Sequence, residues 1–280
     1  MRRLSSYLPA TTRAGKFSPV KAVAWLIGLA PAAWLIWLGQ GDGFGPKPVT
    51  FVLHTLGDAA VWLLIATLAV TPLRAILRFN ALILARRILG NFALVHALAH
   101  VALFVWSEGV AKAATEVVLR VYLTIGLAAL LMLIALGATS NDAAVKRLGA
   151  EGWKRLHRLI YAATPLAVLH YFLQSKNEIT SALLPAGYFV LLMLWRALNA
   201  RKLGAHPLAL LALGVVAGLA TAGLEAAWYF WRSGLPPLDV LAQNLDFEDS
   251  FRPPWIVAGV PLDFALISFF LRRRGRARRP

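Results

Sequence analysis

The 280-residue sequence contains no cysteine, and this absence excludes several kinds of site. Without thiols the chain forms no disulfides, holds no thiolate-ligated iron–sulfur cluster and lacks the C-x-x-C-H motif for covalent haem attachment. Any metal or haem must therefore be held by histidine or by another nitrogen or oxygen ligand.

Charged residues are scarce as well. Only 15% of residues are charged and 59% are hydrophobic, with a mean hydropathy of +0.65. An ordinary soluble domain is about 25% charged and about 45–50% apolar. A soluble fold of this size could not hide so much apolar surface, so lipid is expected to cover much of it. The composition argues against a soluble enzyme, a disordered tail or a DNA-binding module.

Long apolar runs divide the chain into eight candidate membrane spans. Most of them are long enough to cross about 30 Å of hydrocarbon as helices. They cover residues 20–39, 49–71, 88–106, 118–138, 157–173, 180–198, 207–231 and 255–271. The sequence therefore predicts an all-α, polytopic transmembrane helical bundle.

The net charge of +16 is distributed unevenly over the loops. With the N-terminus inside, 23 of the 29 Lys and Arg residues fall in inside-facing segments. This asymmetry follows the positive-inside rule, predicts that both termini are cytoplasmic, and explains the basic charge by lipid anchoring with no nucleic-acid partner. Outside, the segment 232–254 is acidic through Asp239, Asp246, Glu248 and Asp249; inside, 142–156 is predicted to form a short surface helix.

Histidines inside the spans are the main functional candidates, because ionisable side chains in lipid are costly. His100 follows Arg87 by 13 residues and His170 follows Arg158 by 12, on helices that both run outward. Both imidazoles are thus predicted at similar depth in the outer half, about 18–20 Å along their helices. Two imidazoles at matched depth can bind haem iron from opposite faces. The alternative for each histidine is a hydrogen-bonded interior side chain.

Three further histidines lie near this depth or at the inner edge. His54 begins an inward-running span in the outer half, and His96 lies one helical turn before His100, where it lines the pocket or substitutes as a ligand. His157 lies at the cytoplasmic end of its helix and is a candidate for a second, inner site.

Several short motifs around these histidines occur in a characteristic order. They are Pro48-Val49 with His54 and Gly57; Thr67-Leu68 and Thr71-Pro72-Leu73-Arg74; Arg86-Arg87-Ile88-Leu89-Gly90 before His100; Lys146-Arg147-Leu148-Gly149; and Trp153, Leu156, His157 and Tyr161 before His170-Tyr171. Over about residues 20–200 this pattern resembles the haem-binding subunits of periplasmic protein-methionine-sulfoxide reductase systems, in the ferric-reductase-like transmembrane superfamily.

The resemblance implies a six-helix core at 20–200 that binds one or two b-type haems, with flavin mononucleotide (FMN) in described members. It implies His100 and His170 as outer haem ligands and His157 as the inner haem-associated histidine, with His54 matching the histidine of the second span. Electrons would pass from quinol to a periplasmic molybdenum-cofactor methionine sulfoxide reductase. The chain would be a multi-pass protein of the bacterial inner membrane, with substrate catalysis on the partner.

Two features depart from the superfamily pattern. The residues 13 and 14 positions before His100 are Arg87 and Arg86, so His157 has no obvious histidine partner. An arginine there could bond haem propionates or ligate iron weakly; otherwise it anchors the cytoplasmic end. The chain is thus predicted to consist of a cytoplasmic segment at 1–19, the core at 20–200 and about two additional spans at 201–280. In these spans, Gly214 and Gly218 form a G-x-x-x-G pattern suited to close packing, or simply belong to an apolar helix; Glu225 has no evident partner.

Two other functions fit parts of the sequence. A self-contained ferric reductase or oxidase would need a cytoplasmic nucleotide domain, yet another apolar span follows His206-Pro207-Leu208 and no G-x-G-x-x-G motif occurs. A transporter or assembly protein with structural histidines is the alternative from a different class.

Overall fold

The computed structural model describes residues 10–12, 15–41, 43–175, 179–246 and 251–277, without the side chains of 271–277. Glu248 and Asp249 of the acidic segment, and the side chains of the C-terminal arginine cluster, lie outside these limits. Within them the chain forms helices and a single isolated bridge between Thr11 and Phe17. The helices are α1 (Pro19–Leu38), α2 (Pro48–Leu77), α3 (Ile83–Glu108), α4 (Val110–Leu119), α5 (Val121–Ala138), α6 (Asp142–His157), α7 (Ile160–Ser175), α8 (Thr180–Ala200), α9 (Pro207–Ser233), α10 (Pro237–Gln243) and α11 (Pro253–Ala277).

Seven helices of the described chain are long and apolar enough to cross a membrane. They are α1, α2, α3, α5, α8, α9 and α11, and they coincide with seven of the eight predicted spans. The remaining predicted span, 157–173, corresponds to α7, whose 16 residues reach only about 24 Å at 1.5 Å per residue. The prediction of a polytopic helical membrane bundle is confirmed.

Lipid-facing surface is evident on α1. Leu26, Ile36 and Trp37 of this helix are each 68–69% exposed. The helix starts where its sequence supplies a start signal, with Ser18 accepting a hydrogen bond from the Lys21 backbone N–H and Pro19 in the first turn. Water cannot cover such a surface cheaply, so these side chains are placed to contact acyl chains.

The first of two compact units comprises Met1–Val70 and Ala81–His170. In it α1 packs against α3, and α3 and α4 pack against α5. The Phe92 ring of α3 fills the space over Gly28 of α1 and meets Trp25 edge-on, with ring centroids 5.0 Å apart. All the histidines singled out above belong to this unit.

The second unit comprises Thr71–Asn80 and Tyr171–Pro280, with α9 packed against both α8 and α11. The close-packing interpretation of Gly214 and Gly218 is confirmed. A Cβ on Gly214 would lie 2.7 Å from the Ala258 carbonyl oxygen, and one on Gly218 would lie 3.0 Å from that of Pro254. Small residues therefore let the α9 and α11 backbones approach each other. The division at residue 200 stays a prediction.

Several local features differ from the sequence expectations. The helices α4 and α10 were not predicted, because both are short and lie between apolar runs. The surface helix at 142–156 is present as α6, but Gly149 (φ 71°, ψ 160°) breaks it in the middle. Glu225, for which no partner was evident, is buried and accepts a 2.8 Å hydrogen bond from Asn244 Nδ2.

Candidate functional site

Two half-buried imidazoles lie close to each other in the first unit. His100 comes from α3 and His170 from α7, and their ring centroids lie 6.4 Å apart with planes 80° apart. An imidazole nitrogen binds a metal ion at about 2 Å, so two rings on opposite sides of one ion have centroids roughly 6 Å apart. The spacing therefore fits one ion between the two rings.

Each of these imidazoles is oriented by a backbone carbonyl of a neighbouring helix. His100 Nδ1 lies 2.8 Å from the Leu53 oxygen of α2, and His170 Nδ1 lies 2.7 Å from the Tyr122 oxygen of α5. A carbonyl only accepts, so Nδ1 carries the proton in both rings and Nε2 keeps its lone pair. This is the arrangement that second-shell carbonyls impose on metal-binding histidines.

Glycines make room for both rings. A Cβ on Gly57 would lie 3.2 Å from His100 Nδ1, and a Cβ on Gly126 would lie 2.9 Å from His170 Nδ1. Gly57 belongs to the sequence pattern described above, whereas Gly126 was missed. A glycine within an apolar helix is a signal of close approach by another group, and this signal could have identified Gly126.

The pair suits haem better than a bare metal ion. Among the described residues, no group of three or more His, Cys, Asp or Glu side chains could hold a metal ion. Two imidazoles alone would leave a bare ion short of ligands, whereas haem iron needs only two axial ligands from the protein. The donor set and the spacing of His100 and His170 therefore fit haem.

His54 and His96 differ from this pair. His54 of α2 is exposed. His96 is 3% exposed, its Nδ1 lies 2.8 Å from the Phe92 oxygen of its own helix, and among the described residues none bonds to its buried Nε2. The roles of both residues stay predictions.

A second cluster surrounds His157 at the end of α6. Its ring stacks on Trp153, with centroids 3.8 Å apart, and its Nε2 lies 3.2 Å from Thr139 Oγ1. Thr139 donates its own proton to the Ala135 carbonyl at 2.7 Å, so its oxygen accepts from His157 Nε2–H. The lone pair of His157 is thus on Nδ1, in contrast to the outer pair.

Arg86 and Arg87 act on this cluster through their charges. Burial lowers the pKa of His157, and the positive charges of Arg86 and then Arg87 lower this pKa further, whereas a hydrogen bond to the Thr139 backbone carbonyl raises it. Arg87 also forms a 3.1 Å ion pair with Asp142 on an exposed surface. The structure therefore places the charges of Arg86 and Arg87 near His157, whose ring stacks on Trp153.

Fold and site together define a polytopic helical membrane protein with an oriented histidine pair, and comparisons with known proteins agree. Residues 56–169 match the family described as "Ferric reductase like transmembrane component". The chain is 35% identical to the protein-methionine-sulfoxide reductase heme-binding subunit MsrQ of Caulobacter vibrioides, over 65% of this chain and 89% of the relative. It is 37% identical to the subunit of the same name from Bordetella pertussis, over 67% of this chain and 92% of the relative.

The chain belongs to the family of heme-binding subunits of protein-methionine-sulfoxide reductases. It is accordingly a multi-pass protein of the bacterial inner membrane. No solved structure matches it.

Proposed function

We propose that this chain is the electron-transfer subunit of a methionine sulfoxide reductase complex, with a b-type haem held between His100 and His170. The observation that carries the proposal is the geometry of this pair: two imidazoles from separate helices, 6.4 Å apart, each tied through Nδ1 to a carbonyl. Bound haem would supply one-electron chemistry, while the protein sets the ligands and their surroundings.

The residues of the chain divide this work between two levels. At the outer level His100 and His170 would hold the haem, and the carbonyls of Leu53 and Tyr122 orient their rings. At the inner level His157 is the candidate for a second haem, with the guanidinium groups of Arg86 and Arg87 available to its propionates or as a weak ligand. His157 would first have to exchange its Thr139 contact or use Nδ1, because Nε2 is occupied by that hydrogen bond.

The donor and acceptor are proposed by family resemblance. Quinol of the respiratory chain supplies electrons at the membrane, FMN is a further cofactor, and a periplasmic reductase with a molybdenum cofactor receives the electrons and reduces methionine sulfoxide. Two properties of the chain support a separate catalytic partner. It has no thiol for sulfoxide chemistry, and its predicted outer loops are short.

A spectroscopic and chemical comparison tests this function. The full chain is purified in detergent from cells supplied with haem, and dithionite-reduced and oxidised spectra, extracted flavin and reduction by a soluble benzoquinol are measured. We expect a Soret band with sharp α and β bands, bound FMN and reduction by the quinol.

Other results would favour the alternatives. A colourless preparation would contradict the proposal and favour a transporter or assembly protein. Reduction by a nicotinamide but not by quinol would favour a self-contained ferric reductase.

A further inference from the structure

We propose that Gly57 and Gly126 are positioning residues that let helix carbonyls orient the two ligand imidazoles, an inference that rests on the proposed haem function. Each glycine, together with the carbonyl four residues before it, forms what we call a ligand seat. The first seat is Leu53 with Gly57 on α2, and the second is Tyr122 with Gly126 on α5.

The four-residue spacing within each seat has a simple geometric reason. In an α-helix the carbonyl of residue i points toward residue i+4, whose backbone N–H it accepts. A side chain at i+4 therefore lies beside that carbonyl and sterically blocks any donor that approaches it from another helix. Glycine leaves the approach open, and an imidazole Nδ1–H can share the oxygen.

Both seats have this geometry although they share no residue. In the first, His100 Nδ1 lies 2.8 Å from the Leu53 oxygen, and a Cβ on Gly57 would lie 3.2 Å from the same nitrogen. In the second, His170 Nδ1 lies 2.7 Å from the Tyr122 oxygen, and a Cβ on Gly126 would lie 2.9 Å away. Because the same carbonyl and glycine arrangement occurs at both ligand imidazoles, we infer that it has the same role at each.

That purpose is to fix the tautomer and the plane of each ring. The seats place the proton on Nδ1, leave the Nε2 lone pair for iron, and hold the ring planes 80° apart. Outer-shell partners of metal ligands typically contribute about 10–100-fold in metal affinity. Because the low-spin ferric EPR signal depends on the angle between the axial imidazole planes, that signal reports the seats directly.

The clearances predict a graded response to an added methyl group. Gly126→Ala places the new Cβ below 3.0 Å from His170 Nδ1 and must displace the ring. Gly57→Ala meets His100 at a tight distance, so a small shift of that ring accommodates it. Gly126→Ala is expected to have the larger effect.

Two other glycines of the same unit provide matched controls. A Cβ on Gly90 would come no closer than 3.7 Å to any atom, its nearest neighbour being Thr67 Cγ2, which is an ordinary contact. A Cβ on Gly137 of α5 would collide with the flexible end of Leu94 on α3, without touching a histidine. Gly137→Ala therefore controls for helix crowding, and Gly90→Ala for the loss of a glycine.

The experiment uses the full chain, wild type and the four alanine variants, produced with ample haem and quantified in the membrane by immunoblot. Haem per protein is measured as pyridine haemochrome, and the purified proteins are compared by EPR and by midpoint potential. We expect Gly126→Ala to retain clearly less haem per protein than the wild type, because loss of an outer-shell partner lowers metal affinity about 10–100-fold. Gly57→Ala should retain haem with a shifted EPR signal and potential, and both controls should match the wild type.

The outcomes separate this inference from the proposed function. Wild-type protein without haem would contradict the function itself. Haem-loaded wild type together with unchanged EPR signal, potential and haem content in Gly57→Ala and Gly126→Ala would overturn the seats alone. If Gly126→Ala does not accumulate, Gly57→Ala decides, and an effect of Gly137→Ala as large as that of Gly57→Ala would also overturn the inference.

Discussion

The imidazoles of His100 and His170 lie with centroids 6.4 Å apart and planes 80° apart, although 70 positions separate the two residues in the chain. Each ring is oriented by a helix other than its own, since each Nδ1 donates to a carbonyl of that other helix. The site is thus made by four helices, α2, α3, α5 and α7, of which two supply ligands and two supply seats.

Replacement of His157 tests whether the two levels are independent. The contacts of this ring are with Trp153 and Thr139, and the outer seats use neither residue. We therefore expect His157→Ala to leave the EPR signal of the outer haem unchanged while lowering total haem per protein. Loss of the outer signal in this variant would contradict the assignment of the two levels.

Replacement of His96 tests whether this residue lines the haem pocket or serves as a ligand. Its buried Nε2 has no hydrogen-bond partner in the part of the chain that the structure describes, and an unsatisfied buried polar atom costs about 1–3 kcal/mol. His96→Leu is expected to keep the wild-type haem content and to leave thermal stability unchanged or raised, measured by the detergent melting curve. If this variant loses haem, His96 has a ligand role after all.

The second unit offers a stability prediction with a spectroscopic control. Gly218→Val would force side-chain atoms into the Ala258 and Pro254 contacts of α11, and such overpacking costs about 1–3 kcal/mol. Because both ligand seats belong to the first unit, the visible spectrum should remain that of the wild type while the melting temperature falls. Unchanged stability would contradict the close packing of α9 and α11.

Removing the C-terminal region is a less specific test of whether packing in the second unit is separate from haem binding in the first. Leu191 and Trp195 of α8 pack in one core with Leu210 and Leu213 of α9 and with Val257 of α11. Deletion of residues 205–280 would remove α9 and α11 and so expose the α8 side of this core. The deletion would begin directly after Gly204, whose carbonyl accepts a hydrogen bond from Trp195 Nε1. The point variant therefore separates packing from haem binding more cleanly.

Membrane orientation is open to direct measurement. The distribution of Lys and Arg predicts cytoplasmic termini and periplasmic segments at 40–47 and 232–254. Fusions of a periplasm-dependent reporter at these segments should be active, and fusions at the termini should be inactive. The reverse pattern would place His100 and His170 in the inner half of the membrane and contradict the predicted electron exit.

The helical content and the spans could be predicted from the sequence, because a long apolar run leaves a chain in lipid few alternatives to a helix. The pairing of His100 with His170 could also be predicted, because the fixed rise per residue of a helix gives the depth of each histidine from its distance along the sequence to a cytoplasmic arginine. The predicted close contact at Gly214 and Gly218 depended only on their small size.

Other features depend on contacts that a linear pattern does not contain. The hydrogen bonds from His100 and His170 are accepted by backbone carbonyls of Leu53 and Tyr122, which any residue type would supply, so these hydrogen bonds leave no signal in the sequence. The Glu225–Asn244 hydrogen bond crosses from a span to the residue that follows the unpredicted helix α10. The contact of His157 with Thr139 likewise joins segments whose packing the sequence alone does not specify.

The measurement that tests the central claim most directly is the haem content of His100→Ala and His170→Ala beside wild type, determined as pyridine haemochrome on equal amounts of membrane-inserted protein. Each variant is expected to lose the outer low-spin EPR signal and the haem of this site, because one of the two imidazoles that would hold it is removed. A wild-type signal and wild-type haem content in either variant would contradict the assignment of these two residues as ligands.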